Sequence, residues 1–222
     1  MEQSKPEHAN EAIRRTRPDR ATARPGDGPR RTQGQRRART RQALLKAARE
    51  LFAQKGFAQT GREEIAARAG VTRGALYHHF ESKMALAEAV LDQLDIELVD
   101  RVMAEAGDAP SATEMLGRSC GAYIRACADP SVSRLLVDAP SVLGIEAWRA
   151  RNSAACAPLL ARALTMAQTE GADVPGDPTI TAHLLMGMLN EAALVVASSP
   201  RRARVLKQVD ETVQALVAKL VA

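Results

Sequence analysis

The chain contains few aromatic residues, and this scarcity constrains how a core can be built. Only six of its 222 residues are Phe, Tyr or Trp, although 45% of the residues are apolar. Four of the six lie close together in the first half of the chain, namely Phe52, Phe57, Tyr77 and Phe80. The rest of the core must consist of aliphatic and methionine side chains. Apolar residues recur at a helical period without sustained alternation, so the pattern predicts an all-α fold.

Cysteines and long apolar runs are also scarce, which argues against secretion and membrane insertion. Three cysteines, an odd number, provide no disulfide framework. Cys120 and Cys127 are seven positions apart on one predicted helix, about 10 Å and beyond disulfide reach. The N-terminus has no apolar signal-peptide core, and the most apolar segment, 184–197, is interrupted by Asn190 and Glu191. We therefore expect a cytoplasmic protein with no membrane contact.

Catalytic and metal-binding patterns are absent from the sequence as well. It contains no Ser-His-Asp grouping, no Gly-rich phosphate loop and no spacing typical of metal ligands. We therefore expect no enzyme activity, no cofactor and no metal. The cysteines Cys120, Cys127 and Cys156 are interpreted either as inert buried thiols or as sensors of oxidation.

Positive charge is concentrated towards the N-terminal end. Residues 1–39 contain eleven Arg and Lys against five Asp and Glu, and residues 40–83 contain eight against four. Residues 84–222 contain twelve against seventeen and are therefore acidic. This asymmetry indicates a polyanionic partner for the N-terminal part of the chain.

Residues 1–38 are predicted to be a disordered basic arm, because they contain too few large apolar residues to offset the entropy of the chain. Their arginines include Arg30, Arg31, Arg36 and Arg37. Two interpretations remain open for them. They form a solvated tail, or they form a flexible arm that contacts phosphates or the minor groove of DNA.

Three helices are predicted after this arm, the second and third of them short. The first begins after Thr40 as N-cap, and Gly56 ends it as a C-cap in the αL conformation. The second spans 61–69 and the third 73–79, joined by a glycine-containing turn at 70–72. This arrangement is typical of the helix-turn-helix of DNA-binding proteins.

The predicted helix-turn-helix domain covers residues 39–83, and residues 84–222 are predicted to form a larger helical domain. The expected helices of this larger domain are 82–106, 111–128, a short helix that starts at Pro130 and ends at Pro140, 145–169 with a kink or break at Pro158, 179–198 and 201–221. The last two helices carry apolar stripes over about 179–221. These stripes predict a four-helix bundle between two copies of the chain, and the alternative is an intramolecular core.

Residues 40–86 resemble the DNA-binding domain of TetR-family regulators. The resemblance is carried by Gly56-Phe57, Thr60, Glu64-Ile65-Ala66, Ala69-Gly70-Val71-Thr72, Gly74-Ala75-Leu76-Tyr77-His78-His79-Phe80 and Ser82-Lys83. It implies a sequence-specific transcriptional regulator, and specifically a dimeric repressor that a small-molecule ligand releases from a palindromic operator. It also implies that residues 84–222 form the domain for ligand binding and dimerisation. A non-specific nucleic-acid-binding protein driven by the arginine-rich arm is the alternative.

The resemblance also implies which residues contact DNA. They are Thr60, Arg62, Thr72, Arg73, Gly74, Ala75, Tyr77, His78, His79 and Lys83. We expect Arg73 to bond to a guanine edge and Ala75 to contact a thymine methyl group, with Leu76 and Phe80 in the core. Many family members carry a core-facing residue at the position of Arg62, so its stem is expected to cover the core and its head to lie near phosphate.

A ligand pocket is expected between the helices of residues 111–198. Its candidate lining residues are Tyr123, Trp148, His183, Met186 and Asn190, with Met115 and Met166 as pliable walls. The alternative for each is an ordinary core or surface role. We expect the ligand to select a conformer with the wrong spacing for half-sites about 34–36 Å apart, through the helix that both domains share.

Overall fold

The computed structural model describes residues 32–221, and within this range the chain is all-helical, as predicted. The helices are α1 (Gln33–Lys55), α2 (Arg62–Arg68), α3 (Arg73–His79), α4 (Lys83–Ala106), α5 (Ala112–Cys127), α6 (Pro130–Leu143), α7 (Ile145–Thr169), α8 (Pro178–Ser198) and α9 (Arg202–Leu220). Helices α1 to α3 form the N-terminal unit, α4 connects it to the remainder, and α5 to α9 form the larger helical domain.

Helix α1 starts earlier than the sequence analysis predicts. Thr32 is its N-cap, because the backbone N–H of Gln35 donates to Thr32 Oγ1 (3.3 Å) and the Thr32 N–H donates to Gln35 Oε1 (3.0 Å). This capping box is followed by good helix formers, so residues 33–38 are helical. The prediction of disorder for residues 1–38 is therefore wrong for residues 33–38. Residues 1–31 of the predicted arm lie outside the described residues.

Helices α2 and α3 are held by a small core beneath α1. Its buried members are Leu44, Leu45, Leu51 and Phe52 of α1, Ile65 and Ala66 of α2, and Leu76 and Phe80 at α3. Gly70, with a φ of 67°, allows the tight turn between the two short helices. Thr72 then caps α3, because its Oγ1 accepts a hydrogen bond from the Ala75 N–H (3.2 Å). The predicted core positions of Leu76 and Phe80 are confirmed.

The end of α1 is fixed against α6. Gly56 has a φ of 83° and a ψ of 165°, a region that is essentially restricted to glycine and differs from the αL cap predicted for it. The next amide, that of Phe57, donates to Asp138 Oδ2 (2.9 Å). A Cβ at Gly56 would lie 2.6 Å from Arg134 Nη2 and 2.9 Å from Asp138 Oδ2. The backbone conformation therefore requires glycine, and an added Cβ would also force the Arg134 and Asp138 side chains to shift.

Two prolines lie inside helices instead of ending them. Helix α6 continues past Pro140 to Leu143, and the Gly144 N–H donates to the Pro140 carbonyl (3.0 Å). Helix α7 is likewise not split at Pro158. The predicted end of α6 at Pro140 is wrong. Proline removes one backbone donor, but the packing of α6 against α1, α7 and α8 stabilises the whole helix despite this loss.

Helix α8 is the most apolar element of the larger domain. By length and composition alone it could cross a bilayer, with a mean hydropathy of 1.5 over its most apolar window. In the fold, one face packs against α6, α7 and α9, with Leu185, Leu189 and Val196 buried. The opposite face exposes Ile180, Leu184 and Val195. The buried face accounts for part of this hydropathy, and the exposed face is left without a partner within the described chain.

We expect Gly56→Ala to lower the free energy of unfolding by about 1–3 kcal/mol, because alanine adopts this backbone conformation only with strain. Urea denaturation at one fixed protein concentration measures the effect. Gly74→Ala is the control, since an added Cβ there meets nothing within 4 Å inside an exposed helix. Equal stability of the Gly56→Ala variant and the wild type would contradict the assignment of strain.

Candidate nucleic-acid interface and ligand cavity

Helix α3 presents a polar, open face to solvent. Thr72, Arg73, Gly74 and His78 are exposed, and Tyr77 is half-buried. Nothing lies within 4 Å of a Cβ built at Gly74, so a large surface could approach the backbone here. These five residues lie on the outer side of a helix whose inner side is anchored by core residues. We call them the α3 face.

Tyr77 organises two arginines on the α3 face. The Arg62 guanidinium carbon lies 4.4 Å from the centroid of the Tyr77 ring, and that of Arg73 lies 5.4 Å away. Arg73 Nη2 donates to the Tyr77 hydroxyl (3.3 Å) and lies 3.5 Å from Glu63 Oε1. The bond to Tyr77 and then the charge of Glu63 raise the pKa of Arg73. The arrangement orients two permanently charged guanidinium groups towards the same surface.

Arg62 therefore does not pack in the way the sequence analysis predicts. Its side chain is half-buried, but the surface that it covers is the ring of Tyr77, while Ile65 and Ala66 fill the core beneath α2. Its Nη1 also lies 3.4 Å from the Glu81 carbonyl oxygen. The guanidinium stays at the surface, as expected.

The structure corrects the predictions for Thr60 and Lys83. Thr60 is 1% exposed, and its hydroxyl donates to the Gly56 carbonyl (2.8 Å). The Lys83 ammonium donates to the carbonyls of Phe57 (2.7 Å), Ala58 (3.4 Å) and Thr60 (3.1 Å), and burial lowers the pKa of Lys83. Both side chains stabilise the loop between α1 and α2 and are not free to bind phosphate.

Helix α1 adds basic residues that the sequence analysis assigned to a flexible arm or did not select. Arg41 lies over the Phe80 ring, 4.5 Å from its centroid. The pKa of His79 is lowered mainly by burial and then by the charges of His78, Arg37 and Arg41. Arg37 and Arg41 are therefore close to the end of α3. Arg37 and Arg41 are four residues apart on the helix that contains Leu44, and this i, i+4 spacing indicates from the sequence alone that they share one face.

A cavity of about 200 Å³ lies between α4, α5, α7 and α8. Four residues expected to line a pocket do line this cavity, namely Met115, Tyr123, Met166 and Met186, together with Met103, which was not expected. Asn190 is not part of the wall, but its Oδ1 accepts a hydrogen bond from the Tyr123 hydroxyl (2.8 Å). Burial raises the pKa of Tyr123 well above its usual value, so the phenol is neutral. The cavity is thus largely apolar, and its polar lining residues are Ser119, Arg162 and the oriented Tyr123.

Two predicted lining residues lie elsewhere. His183 is exposed on α8, on the side away from the cavity, because the adjacent Ala182 and Leu185 face the core. Trp148 is half-buried on the first turns of α7 and packs against the core outside the cavity. The prediction of these two residues as pocket lining is wrong. Cys156 and Arg162 of α7 do line the cavity and were not selected from the sequence.

The fold and the α3 face define a two-domain helical protein with an N-terminal helix-turn-helix. Residues 44–90 match the family described as bacterial regulatory proteins, tetR family, and residues 113–220 match the Tetracyclin repressor-like, C-terminal domain. The crystal structure of a TetR-family transcriptional regulator from Pectobacterium atrosepticum is 32% identical, with a TM-score of 0.73 over 86% of this chain and 98% of that one. The chain belongs to the TetR family.

Curated relatives match over shorter segments. The transcriptional repressor BepR of Brucella suis is 46% identical over 54 residues, which is 24% of this chain and 26% of BepR. The transcriptional activator FasR of Mycolicibacterium smegmatis is 43% identical over 83 residues, 37% of this chain and 38% of FasR. The matched part thus spans about a quarter of BepR and under two fifths of FasR.

The cysteines of the larger domain are shielded from solvent to different degrees. Cys120 and Cys127 are fully buried, and burial raises the pKa of each thiol to about 12. Cys156 is half-buried at the cavity, and burial raises the pKa of its thiol to about 11. All three are therefore protonated near neutral pH, which favours inert thiols over oxidation sensors.

We expect the native thiols to react slowly with a disulfide reagent at pH 8. A pKa of about 12 leaves a thiolate fraction roughly a thousandfold smaller than a thiol with a pKa of about 9. Stopped-flow labelling with Ellman's reagent measures the rate, and the protein unfolded in urea is the control, with all three thiols reacting quickly. Rapid stoichiometric labelling of Cys120 or Cys127 in the native protein would contradict this shielding.

Proposed function

We propose that the protein is a homodimeric, sequence-specific transcriptional repressor of the cytoplasm that a small-molecule ligand releases from a palindromic operator. The observation that carries this proposal is the α3 face, where Tyr77 orients two arginines beside an unobstructed Gly74. Family membership supports the same function, as the family consists of regulatory proteins.

In this proposal the α3 face reads base edges in the major groove. Arg73 is the residue for a guanine edge, because its planar fork matches two acceptors and Tyr77 restricts its orientation. On DNA, Arg73 exchanges its exposed ion pair with Glu63 for acceptors on the base. Gly74 permits close approach, and the half-buried Ala75 offers a methyl contact to thymine.

Other side chains act on the sugar-phosphate backbone. Arg62, Thr72, His78 and His79 surround the base-reading residues and supply donors to phosphates. The first turns of α1 add a further set, Arg36, Arg37, Arg39 and Arg41. The first turn of α1 contains no acidic residue, so Arg36 and the adjacent Arg37 oppose the dipole of their own helix. Nearby phosphates would relieve that repulsion.

A second copy of the chain is the proposed partner of α8 and α9. Ile180 and Leu184 are 64% and 72% exposed, and Leu216 of α9 is exposed beside them. Large apolar side chains on adjoining faces of two helices favour a four-helix bundle with two-fold symmetry. A dimer is also what a palindromic operator requires, since each half-site needs one α3.

Ligand binding is proposed to change the separation of the two α3 helices through α4. The cavity is lined by Val99, Val102 and Met103 of α4, so a ligand contacts this helix directly. Coupling of this kind typically amounts to about 1–3 kcal/mol, or roughly 5–150-fold in affinity. It is reciprocal, so ligand weakens operator binding by the factor by which operator weakens ligand binding.

We expect Arg73→Ala to weaken binding to operator DNA from the region upstream of the gene by about 1–3 kcal/mol, because a bidentate contact to a base is lost. Fluorescence anisotropy at about 150 mM salt, with scrambled DNA as competitor, measures the affinity. Arg149→Ala is the matched control, since Arg149 is an exposed arginine on α7 of the larger domain.

Equal binding of wild type to operator and scrambled DNA would reject the sequence-specific regulator in favour of the non-specific alternative. A reporter gene under the same operator then gives the sign of regulation. Lower expression in the presence of the protein supports a repressor, and higher expression, as the name of FasR describes for that relative, contradicts it.

We expect Leu184→Glu to convert the dimer into a monomer, because it buries a charge at the centre of the proposed bundle. Analytical ultracentrifugation measures the mass, and circular dichroism checks that the helices persist. Ile145→Glu is the control, since Ile145 is 55% exposed on α7, outside the α8 and α9 surface. A Leu184→Glu variant that keeps the wild-type mass would exclude this surface as the dimer interface.

A further inference from the structure

The ligand cavity has one charged lining residue within the described chain, and this residue stands at the cavity's mouth. Met103 and Met166 are 51% and 46% exposed, and Arg162 is exposed one turn before Met166 on α7. These three residues therefore surround the opening. Tyr123 and Leu189, which are buried, form the closed end.

The charge of Arg162 has no counter-ion among residues 32–221. Among these residues no Asp or Glu lines the cavity, and no carboxylate oxygen lies within 4.0 Å of a guanidinium nitrogen of Arg162. Arg151, on the same helix, differs in this respect because it pairs with Asp92 (2.8 Å) and Asp95 (2.7 Å). Arg162 is thus available to an anion that enters the mouth.

The closed end of the cavity favours an uncharged group. The Tyr123 hydroxyl already donates to Asn190, and the Cys156 thiol beside it is protonated at neutral pH. Asp95 lies just behind Tyr123 and Cys156, in a smaller recess that these residues share. An anion buried at this end would lie near the Asp95 carboxylate, whose positive partner Arg151 is already paired. Within the described chain the cationic lining residue, Arg162, stands at the mouth, so an anion at the closed end would be buried without a counter-ion of its own, which is costly in an apolar site. A negative group therefore belongs at the mouth.

The size of the cavity limits the apolar part of the ligand. Its volume of about 200 Å³ exceeds the roughly 150 Å³ of a cavity that binds benzene. By simple proportion it holds an apolar body of about eight non-hydrogen atoms. Four methionines line the walls, and their flexible side chains adapt to a straight or a branched body.

Resting on the proposed function, we propose that the effector is a monoanionic amphiphile. Its carboxylate pairs with Arg162 at the mouth, and its apolar body of about eight non-hydrogen atoms extends towards Tyr123. The charge selects the ligand class, and the aliphatic walls supply most of the affinity.

Three probes with the same chain and different head groups test this inference. Isothermal titration calorimetry of the full chain compares octanoate, 1-octanol and octylamine. We expect Arg162→Gln to weaken octanoate binding about three- to tenfold, because an ion pair with hydrogen bonds is lost. The affinity for 1-octanol should change by less than about twofold, since its head group carries no charge. Octylamine should bind no more weakly to Arg162→Gln than to wild type.

Two further variants make the result specific. Arg162→Lys keeps the charge and should retain most of the octanoate affinity. Arg149→Gln removes an exposed charge from the same helix away from the cavity and should leave all three affinities unchanged. Circular dichroism verifies the fold, which exposed substitutions should preserve.

Octanoate affinity that is equal in wild type and Arg162→Gln would overturn the inference, and so would a failure of all three probes to bind. These titrations contain no DNA, so they do not depend on the operator experiment. Octanoate that binds through Arg162 but leaves operator affinity unchanged would support the charge selection and contradict the role of this ligand class as the effector that releases the operator.

Discussion

The burial of α4 by both domains is the constraint on which the rest of the structure depends. Leu86, Val90, Leu94 and Leu98 of α4 are buried, and α4 packs against α1 as well as against α5, α6 and α7 of the larger domain. The buried residues of the two domains thus form one continuous core. Because α4 is a single helix of 24 residues, about 36 Å long, it transmits displacement at one end to the other.

The helix-turn-helix has a second attachment to the larger domain, at the other end of α1. Asp138 of α6 accepts the Phe57 N–H, and Gly56 allows this approach. Between the two attachments, Arg49 of α1 pairs with Glu97 of α4 (2.6 Å). These contacts couple the position of the N-terminal unit to both α4 and α6. A ligand that shifts α4 relative to α6 would therefore move the α3 face.

The ion pairs of Arg151 connect the cavity to the same helix. Arg151 of α7 pairs with Asp92 and Asp95 of α4, beside the closed end of the cavity. Burial raises the pKa of Asp95, and the charge of Arg151 opposes that change. A partly buried carboxylate of this kind depends on its partner, so the position of α7 relative to α4 is well defined here. Movement of either helix upon ligand binding would have to preserve or exchange this pair.

Local signals predicted the elements around the α3 face, whereas long-range contacts decided what the sequence analysis missed. Helix α3 and the start of α4 follow from the side-chain caps Thr72 and Ser82 and from the turn at Gly70. Lys83 was assigned to phosphate because nothing local reveals the three carbonyls that its ammonium meets. Thr60 was misassigned for the same reason. Both residues resemble DNA-contacting types in a basic region, and only the folded loop identifies their partners.

The cavity was harder to predict because its walls are made of ordinary core residues. An aliphatic lining has the same helical period as any buried face, so the sequence offered only the rarer residues, and two of those, Trp148 and His183, lie elsewhere. Arg162 was missed for a different reason, because an arginine on a helix is normally a solvated surface residue. Its position at the mouth becomes visible only when α4 and α7 are packed together. Since methionine walls adapt to many shapes, the fixed charge of Arg162 is the feature that limits which ligands bind well.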